Sequence, residues 1–68
     1  MTCAQFKREL RLRGFAAVTY PAGDGVQGWM LYRDGSADEI ASGWCAGNMR
    51  DAFGCAYEAA LRIDGLVA

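Results

Sequence analysis

Histidine is absent from the 68 residues. Its absence removes the side chain whose ordinary pKa lies nearest neutrality, and with it the commonest general base. Cysteine is scarce and odd in number. Cys3, Cys45 and Cys55 follow no disulfide-framework spacing and include no C-x-x-C pair. That usage points to a reduced, cytoplasmic chain with buried or incidental thiols. Proline occurs once, at Pro21. The N-terminus lacks an apolar signal core and the longest apolar-rich stretch is amphipathic, so neither export nor a membrane span is expected. No repeat, low-complexity run or linker breaks the chain, whose length suits one domain over residues 1–68.

The catalytic inventory is correspondingly thin. A thiol nucleophile needs activation by a cation or a helix N-terminus. Only Cys45, just ahead of a helix, meets that condition, and a semi-buried strand-end cysteine is the favoured reading of it over a nucleophile. Asp34, Asp38 and Glu39 gather acidic oxygens in one turn but lack the glycine-spaced ligands of a calcium loop, so a solvated turn is expected. Gly23-Asp24-Gly25-Val26-Gln27-Gly28 leads into a strand, so no helix N-terminus receives a phosphate there. No catalytic residue, metal site or cofactor is expected, and the chain reads as a non-enzyme.

Apolar residues, by contrast, are plentiful. They make up 53% of the chain, with two Trp, three Tyr and three Phe. A domain this short buries only about 60% of its unfolded surface. The surplus suits an oligomer, such as a homodimer, or a partner surface. Charge is split. Lys7, Arg8, Arg11 and Arg13 against Glu9 make the first 14 residues +3, while three Arg against seven acids make the remainder −4. A net charge of −1 argues against a protein that lives on nucleic-acid phosphates.

The longest stretch with a single period runs from Asn48 to Asp64. At about 100° per residue, Met49, Phe53, Ala56, Ala60 and Ile63 share one face and Asp51, Glu58 and Arg62 the opposite one. Asn48 is an N-cap, Asp51 suits the positive helix end and Gly65 a left-handed stop. Gly54 is a poor interior choice, costing about 1 kcal/mol against Ala. Thr2 and Gln5 form a capping-box pattern that opens a helix over roughly residues 3–13, closed by Gly14. Cys3, Phe6 and Leu10 face inward, and Leu12 falls off that stripe.

Between the helices, Phe15 to Tyr20 reads as a strand that Pro21 ends, followed by turn chemistry through Gly25. A second strand spans Val26 to Arg33. Asp34-Gly35-Ser36 is a hairpin signal, and Glu39 to Cys45 reads as a third strand. The tail Leu66-Val67-Ala68 is expected to fold back over the last helix. The fold class is α+β: a three-stranded antiparallel sheet with two helices on one face, in the order α-β-β-β-α. Alternation sets Trp29 and Leu31 against Met30 and Tyr32, and Ile40, Ser42 and Trp44 against Ala41, Gly43 and Cys45. Both faces of the middle strand are apolar, so the side away from the helices is not a polar surface. Which set faces the helices stays open.

That order of elements resembles a double-stranded RNA-binding domain over nearly the whole chain. The likeness includes Ile40-Ala41-Ser42-Gly43 leading through Gly47 into an Ala-rich helix that ends Glu58-Ala59-Ala60-Leu61. The resemblance implies duplex RNA as a partner. The family's lysine cluster at the start of the last helix is represented here by Asn48, Met49, Arg50 and Asp51. Any RNA contact would therefore fall to Lys7, Arg8 and Arg11 on the first helix. In type, the chain also resembles small phage-encoded anti-CRISPR proteins, with a strand–Arg-Asp-Gly–strand–Ala-rich helix segment from Tyr32 to Arg62. That resemblance implies inhibition by occupying a site on a host protein or ribonucleoprotein effector complex. The primary expectation is a protein-binding module. Its candidate contacts are Trp29, Tyr32 and Trp44 as anchors and Asp34, Asp38 and Glu39 as an acidic dock, with Arg33 beside them.

Overall fold

A computed structural model describes residues 1–65. The expected fold-back of Leu66-Val67-Ala68 lies outside the described residues. The elements run α1 (Cys3–Leu12), β1 (Phe15–Gly23), β2 (Val26–Arg33), β3 (Glu39–Ala46) and α2 (Met49–Ile63). The strands form one antiparallel sheet in the order β1-β2-β3. Both helices pack on the same face, α2 against all three strands and α1 against β1 and α2. The chain is therefore α+β in the order α-β-β-β-α. Among the described residues, no helix is long and apolar enough to cross a membrane.

Each helix starts where its capping chemistry sits. The Thr2 hydroxyl accepts from the Gln5 amide at 3.2 Å while the Gln5 side chain accepts from the Thr2 amide at 2.7 Å. Asn48 and Asp51 repeat this reciprocal box at α2, both bonds at 3.0 Å. Gly14 and Gly65 follow the helix ends with φ of 82° and 76°, a region open to glycine without a Cβ clash.

Register decides which residues meet. Phe15, Ala17 and Thr19 oppose Arg33, Leu31 and Trp29, and Leu31 and Trp29 in turn face Ala41 and Gly43 on β3. This is the helix side. Phe15, Trp29 and Leu31 join Leu10 of α1 and Ala52, Ala56 and Ala60 of α2 in one core cluster, and Phe53 is also buried. The alanine stripe of α2 brings its backbone close to the sheet. The Trp29 ring lies over Gly43, where an added Cβ would stand 3.0 Å from it. On the helix layer, the edge of the Phe6 ring lies over Gly54 and its centroid stands 5.6 Å from that of Tyr57. The interior glycine of α2 thus sits under an aromatic ring of α1.

Three expectations need correction. β1 does not stop at Tyr20 but continues through Pro21 to Gly23, with a register shift between Pro21 and Gly23. Proline is tolerated because β1 is an edge strand, where an amide donor can be absent without breaking a ladder. Met49 and Ile63 do not complete the buried stripe of α2, being 51% and 43% exposed. They lie in the terminal turns, beyond the part of the helix the core covers. Trp29, expected as an interface anchor, is only 9% exposed and belongs to the core.

Candidate functional surface

Among the described residues, no element covers the sheet face opposite the helices. β1 contributes Ala16, Val18 and Tyr20 to it, and β2 contributes Gly28, Met30 and Tyr32. β3 contributes Ser42 and Trp44. Near the hairpin the ladder shifts by one residue, so Glu39 stands opposite Tyr32 and Ile40 is the extra residue of a bulge. The face is thus built in rows across the sheet: Tyr20-Gly28-Trp44, Val18-Met30-Ser42, and Ala16-Tyr32 with Glu39.

No residue in the two rows away from the hairpin is charged. Val18, Tyr20, Ile40 and Trp44 are all exposed large apolar groups, and Trp44 is 75% exposed. Antiparallel sheets with one solvated face normally alternate apolar-in and polar-out. Here the side away from the helices also carries large apolar groups on all three strands, a pattern associated with interaction surfaces. Gly28 makes the first row uneven. A side chain there would meet the Tyr20 ring, which lies over the glycine backbone. The Tyr20 ring thus fills the place of a Gly28 side chain, with Trp44 across the glycine from it. The Tyr32 hydroxyl donates to the Met30 sulfur at 3.6 Å, holding its ring along the sheet.

The acids form a rim to this surface. Asp34, Asp38 and Glu39 are exposed around the β2–β3 connection, and Ser36 accepts from the Asp38 amide at 3.1 Å. Only Glu39 is in register with the open face. Asp34 belongs to the opposite side: its amide donates to the Gly14 carbonyl at 2.9 Å, and it lines a depression with Lys7 and Arg11. Arg33 is also drawn to the helix side, its guanidinium 4.4 Å from the Phe15 ring centroid. Of the seven residues expected at a protein interface, the structure brings Tyr32, Glu39 and Trp44 together on the open face, with Asp38 beside them. Trp29, Arg33 and Asp34 point elsewhere.

Sequence reasoning passed over Val18, Tyr20, Met30 and Ile40 as surface residues. Part of the signal was present, since Met30 shares strand parity with Tyr32 and Ile40 with Trp44, whereas Val18 and Tyr20 join the face only through the β1–β2 register. Reading it required knowing which parity the helices cover.

The alternative basic strip is a real surface. Lys7, Arg8 and Arg11 are exposed and line a shared depression on α1 with Ala4. Lys7 also stands 5.2 Å over the Phe53 ring, and Asp34 shares the neighbouring depression with Lys7 and Arg11. An acid that close offsets part of the attraction for phosphate. At the start of α2, Arg50 is followed directly by the capping Asp51.

No protein-family model matches this chain, and no curated protein or solved structure matches it.

Proposed function

We propose that this chain is a non-enzymatic protein-binding module that docks its partner on the open sheet face. The single observation carrying this reading is the uncharged, aromatic-rich and uncovered surface of Val18, Tyr20, Met30, Tyr32, Ile40 and Trp44. An apolar centre with a polar rim is the anatomy of protein interfaces, and Trp and Tyr are the side chains that dominate their energetics. The rim here includes Glu39 and Asp38, which favours a partner with cations around an apolar groove. The resemblance in type to small phage inhibitors supports a finer reading: the partner is a host effector complex, and the module acts by occupying one of its sites.

Affinity capture from host lysate with wild type and Trp44→Ala in parallel tests this reading. Trp44 is exposed, so its truncation leaves folding nearly unchanged, whereas loss of an interface anchor costs about 2 kcal/mol or more, roughly a 30-fold weaker complex. Capture by both proteins alike, or by neither with a strict monomer in light scattering, contradicts the proposal.

A second reading, duplex RNA binding through α1, is supported by the convergence of Lys7, Arg8 and Arg11 on one surface. It requires a salt-sensitive gel shift that neutralising these three residues abolishes. No shift at low salt removes it.

A further inference from the structure

Cys45 and Cys55 are ten residues apart in sequence and belong to different layers, one to the end of β3 and the other to the second turn of α2. The fold sets their sulfurs 2.9 Å apart. This contact is not local to a turn. Strand parity puts Cys45 on the helix side with Ala41 and Gly43. Cys55 lies next to the buried Ala52 and Ala56 on α2. Both thiols are free and half-buried, and both line an open groove of about 390 Å³ between the N-terminus, β3 and α2. That volume lies in the range of small-molecule sites. Its wall includes the Phe6 ring, and Arg50, Asp51 and Glu58 stand around it.

We propose that Cys45 and Cys55 form a dithiol site that reacts with low-molecular-weight disulfides and closes into a reversible intramolecular disulfide joining β3 to α2. The exchange runs in two displacements. The Cys45 sulfur attacks one sulfur of the small disulfide, forming a mixed disulfide and releasing one thiol that carries away the Cys45 proton. The Cys55 sulfur then attacks the Cys45 sulfur, breaking the mixed disulfide and releasing a second thiol with the Cys55 proton. Two protein thiols are oxidised and one external disulfide is reduced to two thiols.

The order of attack follows from the contacts. Cys55 donates its S–H to Cys45, and the Cys45 thiol in turn contacts the Ala46 carbonyl oxygen at 3.6 Å. Burial, then the hydrogen bond to Cys45, and then the negative charge of Cys45, Glu58 and Asp51 push the Cys55 thiol up to about 11. Cys55 therefore holds its proton and acts second, as the resolving thiol. Arg50 at the groove offers a cation to an acidic disulfide such as that of glutathione. Cys3 is outside this groove's lining and takes no part.

The test is incubation of the full chain with glutathione disulfide, followed by intact mass, peptide mapping and thermal melting. The expected product has lost two hydrogens, retains no glutathione, maps to a Cys45–Cys55 bond and leaves Cys3 open to alkylation. It melts roughly 10 °C above the reduced chain, because the bond closes a loop in the unfolded state, and reduced glutathione reverses it. Cys55→Ser is expected to stop at a glutathione adduct on Cys45. A stable adduct on the wild-type chain, a bond through Cys3, no reaction, or a product that melts below the reduced chain would overturn the proposal.

Discussion

At the residue scale, two glycines that look alike in sequence behave in opposite ways. Gly54 is inside α2, and a Cβ there would meet the Phe6 ring at 3.4 Å, an ordinary packing contact. Alanine also favours helix over glycine by about 0.8–1 kcal/mol. Gly54→Ala is therefore expected to stabilise the fold by about 0.5–1 kcal/mol in denaturant unfolding. Gly43 faces the rigid, buried Trp29 ring, with an added Cβ at 3.0–3.1 Å from three of its atoms. Gly43→Ala is expected to cost about 1–3 kcal/mol, the scale of overpacking.

Cys55 provides a pH-dependent check at the same scale. Its thiol pKa is raised from 9.0 to about 11, first by burial, so the fold holds the proton more tightly than the unfolded chain does. The resulting stability is complete below pH 9 and is lost as pH rises toward 11. Under reducing conditions, urea midpoints across that window should fall more steeply for wild type than for Cys55→Ser. Parallel slopes would contradict the burial of this thiol.

At the scale of elements, α2 depends on a defined start. The Asn48 side chain accepts from the Asp51 amide and Asp51 returns a bond to the Asn48 amide. Asn48→Ala is expected to cost about 1 kcal/mol, with faster hydrogen exchange in the first turn of α2 than in its centre. The helices were legible in the sequence because caps and period agree: Thr2-Gln5 and Asn48-Asp51 mark the starts, and Phe53, Ala56 and Ala60 the buried face. Met49 and Ile63 have the right period but the wrong position along the helix, which periodicity does not register. The extension of β1 through Pro21 was hidden because proline's meaning depends on whether a strand is at an edge. Proximity of Cys45 to Cys55 depends on how β3 and α2 pack, which their spacing does not encode.

For the whole molecule, the sheet is held at both ends by bonds between loops. The Asp34 amide donates to Gly14 at one end, and the Gly47 amide donates to the Gly25 carbonyl at 2.8 Å at the other. These bonds join each hairpin to a helix–strand junction and fix the sheet against the helix layer. The open face is thus a preformed surface, which lowers the ordering cost of binding. Its location was only partly legible. Alternation separated Trp29 and Leu31 from Met30 and Tyr32, but an apolar residue at every position of Trp29 to Tyr32 left the inward side unassigned. Two aromatics of one type ended in opposite roles. Trp29 fills the space above Gly43, while Trp44 stands across from Gly28 on the uncovered side.

The most direct measurement places a photoreactive residue at Ser42, in the middle row of the open face, and in a parallel protein at Arg11 on the basic strip. Both are irradiated in host lysate. A discrete protein crosslink is expected from position 42 that added Trp44→Ala removes, and none from position 11. A crosslink to protein or RNA from position 11 with none from position 42 would contradict docking on the open face.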